Sequence, residues 1–71
     1  MPYINIKLAR RATPTSAEQK QALIEGVTRL MQEVLGKRPE DVLVLIEELD
    51  PDNWGQGGVS ATELRARRAL R

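Results

Sequence analysis

The order of a strand, a helix and a second strand in so short a chain is the feature that most constrains its fold. Residues 3–8 alternate apolar and polar side chains, which predicts a half-buried strand. Residues 42–46 are apolar without alternation, which is typical of a strand covered on both faces, as in parallel sheets. Two parallel strands joined by a helix form a βαβ unit with a right-handed crossover. We therefore predict an α+β fold built from a single βαβ unit.

The helix between these strands has clear start and stop signals. Two overlapping capping boxes, beginning at Thr15 and at Ser16, can each open it. Gly36 stands where a left-handed C-cap belongs, and Pro39 prevents the helix from continuing. The predicted helix runs over about residues 17–35, and its apolar stripe is expected to be core. The stripe consists of Leu23, Ile24, Val27, Leu30, Met31, Val34 and Leu35.

The small size of the chain predicts self-association. We assign residues 1–71 to a single domain, because 71 residues are too few for two. A core this small usually needs disulfides, a metal or partner subunits, and the chain has no Cys and no His. Disulfides are thereby excluded, and no metal site is expected. One helix covers only one face of a two-stranded sheet, so the bare face is expected to meet another subunit.

The segment after the second strand reads as turns followed by a short helix. Asp50 and Asp52 are interpreted as turn formers and not as an acid pair or metal site, because Asp and Pro punctuate strand ends. Residues 54–58 form a glycine-rich turn around the only Trp. A third capping box, residues 60–63, begins the short helix. This helix carries Arg65, Arg67, Arg68 and Arg71.

These four arginines leave an anion- or nucleic-acid-binding module open as an alternative function. The whole chain has a net charge of +1 and offers only Tyr3 and Trp54 for stacking on bases, which argues against nucleic acid. No apolar run is long enough to cross a bilayer, and no signal peptide is readable. We therefore expect a cytoplasmic protein without nucleic-acid or membrane partners.

Pro2 is the residue best suited to acid–base chemistry near neutral pH, since the chain lacks the usual imidazole and thiol groups. If Met1 is removed, Pro2 becomes an N-terminal secondary amine. Burial or neighbouring cations favour the neutral form of such an amine, which can then act as a base. The proline runs directly into the first strand, so its nitrogen is expected to lie within the fold. An inert Met-Pro start is the alternative.

Several of these motifs together resemble the 4-oxalocrotonate tautomerase family, whose subunits are short single βαβ units. The resemblance rests on Met1-Pro2, the strand Ile4-Asn5-Ile6-Lys7, the helix start at residues 17–20, the apolar second strand and the turn at residues 52–58. It implies dimers that assemble three at a time into a hexamer. It also implies a cofactor-independent isomerase in which a neutral N-terminal proline moves a proton on a small enol or 2-keto acid.

The resemblance also implies roles for three further residues. Trp54 would form an apolar wall that desolvates the Pro2 nitrogen, although it is equally suited to anchor a subunit interface. Arg10 and Arg11 would add positive charge and bind the substrate carboxylate. The loop that carries them is about three residues longer than in the family, so the choice between the two stays open. A solvated loop pair is the alternative for both.

Leu43 is where this chain departs from the family pattern. The family's namesake has an arginine at this place in the second strand, which stabilises charge on the carbonyl end of the substrate. Leu43 therefore favours a monocarboxylic enol with an apolar end, such as an aryl pyruvate enol, over a dicarboxylate such as 2-hydroxymuconate. Two alternatives stay open: a non-catalytic tautomerase-like oligomer, and a neighbouring subunit whose C-terminal arginine supplies the missing charge. The sequence does not decide between identical and mixed subunits.

Overall fold

Two parallel strands crossed by one helix form the body of the molecule, as the sequence predicts for a βαβ unit. The computed structural model describes residues 1–69, so the predicted helix residue Arg71 lies outside the described residues. Within that range, no helix is both long and apolar enough to cross a bilayer. The elements are β1 (Tyr3–Ala9), α1 (Ala17–Leu35), a 3₁₀ turn (Pro39–Asp41), β2 (Leu43–Leu49), a second 3₁₀ turn (Pro51–Asn53), β3 (Gly55–Gln56), β4 (Val59–Ser60) and α2 (Ala61–Ala69).

β1 and β2 pair in parallel, in a register that runs from Tyr3 opposite Leu43 to Ala9 opposite Leu49. One more hydrogen bond extends the ladder at the start of β1, where the Leu43 N–H donates to the Pro2 carbonyl at 3.0 Å. Exposed and half-buried side chains alternate along most of β1, which confirms the period-two prediction.

β2 confirms the predicted second strand but extends beyond its apolar run into two glutamates. The Glu47 carboxylate accepts a hydrogen bond from Asn5 Nδ2 at 3.1 Å and another from Lys7 Nζ at 3.2 Å. Cross-strand partners of this kind stabilise a charged residue within a sheet. The apolar pattern alone therefore underestimates the length of the strand.

α1 has the predicted bounds and the predicted caps. The Ser16 hydroxyl accepts a hydrogen bond from the Gln19 N–H at 3.1 Å, and Gln19 Oε1 accepts one from the Ser16 N–H at 2.9 Å. Of the two overlapping capping boxes, the one that begins at Ser16 therefore forms. Gly36 ends the helix in the left-handed region with φ of 65°, where its N–H donates to the Gln32 carbonyl. A residue with a Cβ would be strained in this conformation.

The position of an ion pair shows which face of the sheet α1 covers. Lys20 Nζ of α1 lies 2.6 Å from Glu48 Oε1 of β2. Because side chains alternate along a strand, one sheet face carries Glu48 together with other half-buried side chains. These are Ile4, Ile6, Leu8, Val44 and Ile46. The opposite face carries Tyr3, Leu43 and Leu45, which are 61%, 49% and 41% exposed.

The apolar stripe of α1 is only partly buried within one subunit. Ile24, Val27 and Met31 are half-buried, whereas Leu30 and Val34 are 51% and 69% exposed. The expectation that the whole stripe is core is therefore wrong for a single subunit, because one small sheet covers only one side of the stripe. Apolar surface on both the sheet and the helix marks regions where a protein associates.

The ion pair between Lys20 and Glu48 connects α1 to β2 in a partly desolvated position, since the Glu48 side chain is 15% exposed. The hydrogen bond from Lys20 holds the pKa of Glu48 below its ordinary value of 4.5, against the opposing effect of burial. The Lys20 charge, a Thr15 backbone hydrogen bond and the Arg10 charge lower this pKa further. A carboxyl with a lowered folded-state pKa stabilises the fold above its unfolded pKa. That contribution is lost as the pH falls through the folded value.

We predict that Lys20→Met lowers the free energy of unfolding at pH 7, and that the deficit shrinks as the pH falls from about 5 to about 2. Urea denaturation of both proteins across this range, at one protein concentration, measures the effect. Arg38→Met removes an exposed ion pair with Asp41 and is the control, which should change stability little at any pH. A deficit of the same size at pH 7 and at pH 2 would contradict the assignment.

Candidate active site

Pro2 and Leu43 lie together at one end of the sheet. The carbonyl of Pro2 accepts the first hydrogen bond of the ladder from the Leu43 N–H. The proline is half-buried, as expected for a residue held in the fold and not in a frayed tail. Leu43 is 49% exposed on the open face of the sheet, so the neighbourhood of the proline is apolar on that side.

Arg10 and Asp50 lie together at the other end of the sheet. Arg10 Nη2 is 2.6 Å from Asp50 Oδ2, and the backbone N–H of Arg10 donates to the Leu49 carbonyl at 2.9 Å. Asp50 also accepts a hydrogen bond from the Asp52 N–H, and Asp52 accepts one from the Thr62 hydroxyl. The interpretation of Asp50 and Asp52 as turn formers is confirmed, because both carboxylates bind groups of the turn and of the helix after it.

The tryptophan turn is a tight hairpin held against α2. β3 and β4 pair antiparallel, and a Cβ on Gly55 would collide with the Val59 carbonyl, so only glycine fits there. The Trp54 carbonyl accepts a hydrogen bond from the Ala61 N–H at 2.9 Å. Ala61 is 2% exposed, so the start of α2 is packed directly under the turn. The Ser60 hydroxyl accepts a hydrogen bond from the Glu63 N–H at 3.2 Å, which is one of the two bonds of the predicted capping box.

A small cavity of about 90 Å³ lies between the end of β1, the tryptophan turn and α2. Arg11 and Trp54 line it together, whereas Arg10 does not. Arg65, Arg68 and Gln56 line it as well. The sequence suggested two roles for the arginines of α2, an anion-binding patch or a source of charge for the site of a neighbouring subunit, and did not place them beside Arg11 and Trp54. Arg65 and Arg68 are three residues apart and therefore lie on one face of the helix. This spacing is the sequence signal that indicates a common site.

The candidate residues form two groups that one subunit does not bring together. Pro2 and Leu43 lie at the start of the sheet, and Arg11 and Trp54 lie beyond its end. The seven residues of β1 span about 20 Å at a rise of about 3.3 Å per residue. A small enol acid is much shorter than this distance, so no such molecule reaches both groups of one subunit.

Comparison with known proteins identifies the class. The family described as Tautomerase enzyme matches residues 2–64. A 2-hydroxymuconate tautomerase of Comamonas testosteroni is 49% identical over 64 residues, which cover 90% of this chain and 97% of that protein. The crystal structure of DmpI from Helicobacter pylori is 48% identical with a TM-score of 0.80, and the match covers 92% of this chain and 97% of that one. A heterohexameric 4-oxalocrotonate tautomerase from Chloroflexus aurantiacus is 28% identical with a TM-score of 0.73, over 92% and 100% of the two chains.

This chain therefore belongs to the tautomerase family, and it is an isomerase. The resemblance to 4-oxalocrotonate tautomerases, first seen in the N-terminal proline and the tryptophan turn, is confirmed. The predicted fold class is confirmed by the same structures.

Proposed function

We propose that this isomerase interconverts keto and enol forms of small 2-keto or 2-hydroxy-enoic acids, with the Pro2 amine as general base and acid after removal of Met1. The observation that carries the proposal is the hydrogen bond from Leu43 to the Pro2 carbonyl at 3.0 Å. It holds the proline at the head of the strand through its carbonyl, so the ring nitrogen is not needed for the ladder and can transfer a proton once Met1 is removed.

The proton transfer requires no other reactant. The neutral nitrogen takes the proton of the enol hydroxyl, the C=O double bond forms, and the C=C electron pair accepts a proton at carbon from the prolinium. The total number of protons on the enzyme and substrate is unchanged. A prolyl amine in water is more basic than is ideal for this role, and a base works best when its pKa lies near the working pH. The half-buried position of Pro2 favours the neutral form.

The contacts of the two loop arginines support Arg11 as the residue that binds the substrate carboxylate. Arg10 already pairs with Asp50 at 2.6 Å. Arg11 lines the cavity beside Trp54, and no carboxylate in residues 1–69 forms an ion pair with it. A free guanidinium offers two parallel donors to a carboxylate. Trp54 forms the apolar wall next to it.

A complete site then requires two subunits, because Pro2 and Arg11 lie at opposite ends of β1. The open sheet face with Tyr3, Leu43 and Leu45 and the exposed half of the α1 stripe supply apolar surface for the contact. Related tautomerases form oligomers, and the Chloroflexus relative is a heterohexamer. For this chain we propose a homohexamer, built from three dimers. Light scattering on the purified chain alone tests it, and a folded monomer at micromolar concentration would contradict it.

The first functional prediction concerns Pro2. Pro2→Ala keeps an N-terminal amine but changes its basicity and rigidity, so kcat/KM for enol tautomerisation should fall about 10- to 100-fold or more. Steady-state assays with phenylenolpyruvate measure the loss. Intact mass of both proteins is the control, since the amine exists only where Met1 has been removed. An unchanged kcat/KM would remove Pro2 from the mechanism.

The second functional prediction tests whether subunits share the site. Pro2→Ala and Arg11→Ala should each lower the activity strongly when present in every subunit. The two variants are unfolded, mixed in equal amounts and refolded. If Pro2 and Arg11 of one site come from different chains, each is unmodified in about half of the sites, so about a quarter of the sites should have both residues intact. Each variant unfolded and refolded without the other is the control. No recovered activity in an assembled mixture would place both residues in one subunit.

The third functional prediction concerns Leu43. A second substrate charge without a cation costs several kcal/mol in an apolar pocket, whereas an apolar end gains about 25 cal/mol per Å² buried. Monocarboxylic enols should therefore have a higher kcat/KM than 2-hydroxymuconate. Leu43→Arg should shift the ratio towards the dicarboxylate, and Leu43→Met, which conserves volume, should not. A dicarboxylate preference in the unmodified enzyme would contradict the role given to Leu43.

A further inference from the structure

We propose that α2 supplies half of the carboxylate subsite: Arg68 binds the substrate carboxylate together with Arg11, and Arg65 positions Arg11. The inference rests on the proposed tautomerase function and names further residues of that site. Its basis is the cavity beside Trp54, which is lined by all three of these arginines.

The arginines around this cavity divide into two groups by partner. Arg10 pairs with Asp50 at 2.6 Å, and Arg67 pairs with Glu63 at 3.3 Å. Neither of these paired arginines lines the cavity. The other group consists of Arg11, Arg65 and Arg68, which do line it.

No described carboxylate neutralises this second group. Among residues 1–69, no Asp or Glu lines the cavity or forms an ion pair with any of its three arginines. Like charges drawn to one small space repel one another, and a bound anion offsets that repulsion. The charge pattern therefore fits a ligand with a negative group.

The size of the cavity restricts the ligand to an end group. Its volume is about 90 Å³, whereas pockets that enclose a whole small molecule have about 300–1,000 Å³. A carboxylate fits and the rest of an aryl or alkyl enol acid does not. The remainder of the substrate then extends out of the cavity past the Trp54 ring, towards the Pro2 of a second subunit.

Arg65 has a different role from Arg68 because its side chain is already engaged. Its Nη1 donates a hydrogen bond to the Arg10 carbonyl at 2.7 Å. This contact holds the backbone directly before Arg11 against α2, while the Arg65 charge remains. Arg68 follows one turn later on the same helix face and is exposed, so its guanidinium is free to meet the carboxylate with Arg11.

Replacing Arg68 by Gln tests the binding role. Arg68→Gln should raise KM for phenylenolpyruvate roughly tenfold and leave kcat within about twofold, because a charge-assisted contact to a group remote from the reacting atoms is lost. Arg67→Gln is the matched control. It removes the same charge from the same last turn of α2, but from a residue paired with Glu63. Equal effects of the two variants, or a fall in kcat with KM unchanged, would overturn the proposal.

Two variants test the positioning role of Arg65. Arg65→Gln should raise KM several-fold with kcat little changed, since the loop that carries Arg11 loses its tie to α2. Arg65→Lys retains a charged donor for the Arg10 carbonyl and should recover most of the affinity. A KM that Arg65→Gln leaves at the unmodified value would remove Arg65 from the subsite.

A binding measurement separates this inference from the proposed reaction. The chain has one Trp, and it lines the cavity, so its fluorescence reports directly on this site. Butanoate, a monocarboxylate that does not tautomerise, is titrated at constant ionic strength into the assembled protein and into the Arg68→Gln and Arg67→Gln variants. Weaker binding by Arg68→Gln than by Arg67→Gln supports the subsite even in a protein without turnover. Equal binding by both variants refutes the subsite, even if Pro2 catalysis is intact.

Discussion

The parallel ladder between β1 and β2 is the constraint on which the rest of the structure depends. At the start of the ladder, the Pro2 carbonyl accepts a hydrogen bond from the Leu43 N–H. At its end, the Arg10 N–H donates one to the Leu49 carbonyl. The same register therefore sets the positions of Pro2, proposed to transfer the proton, and of the loop that carries Arg11, proposed to bind the carboxylate. A shift of one residue would turn every side chain to the opposite face, and the ion pair between Lys20 and Glu48 that joins α1 to β2 would be lost.

The proposed assembly and the proposed catalysis are linked, because the geometry of one subunit leaves an apolar face bare and keeps Pro2 and Arg11 apart. One helix covers one sheet face, so Leu43 and Leu45 stay exposed on the other. The full length of β1 also separates Pro2 from Arg11. In the proposed oligomer, a second copy therefore covers the apolar surface and completes the active site at the same time.

The electrostatics of the far end of the sheet depend on which arginines have carboxylate partners. Asp50 forms an ion pair with Arg10, and Glu63 forms one with Arg67. No carboxylate among residues 1–69 pairs with the three arginines of the cavity, and Trp54 gives the same small space an apolar wall. Positive charge beside an aromatic surface suits the proposed substrate, which has one carboxylate and an apolar end. This agrees with the apolar Leu43 at the opposite end of the sheet.

The sequence by itself determined what local patterns encode: the βαβ order, the bounds and caps of α1, the left-handed Gly36 and the turn around Trp54. These follow from periodicity, capping chemistry and glycine geometry, which act over a few residues. Tertiary structure alone decided that Arg10 is paired with Asp50 forty residues away and that α2 brings Arg65 and Arg68 beside Arg11. Partners so distant along the chain are chosen by how the elements pack, and no local pattern in a single sequence records that choice.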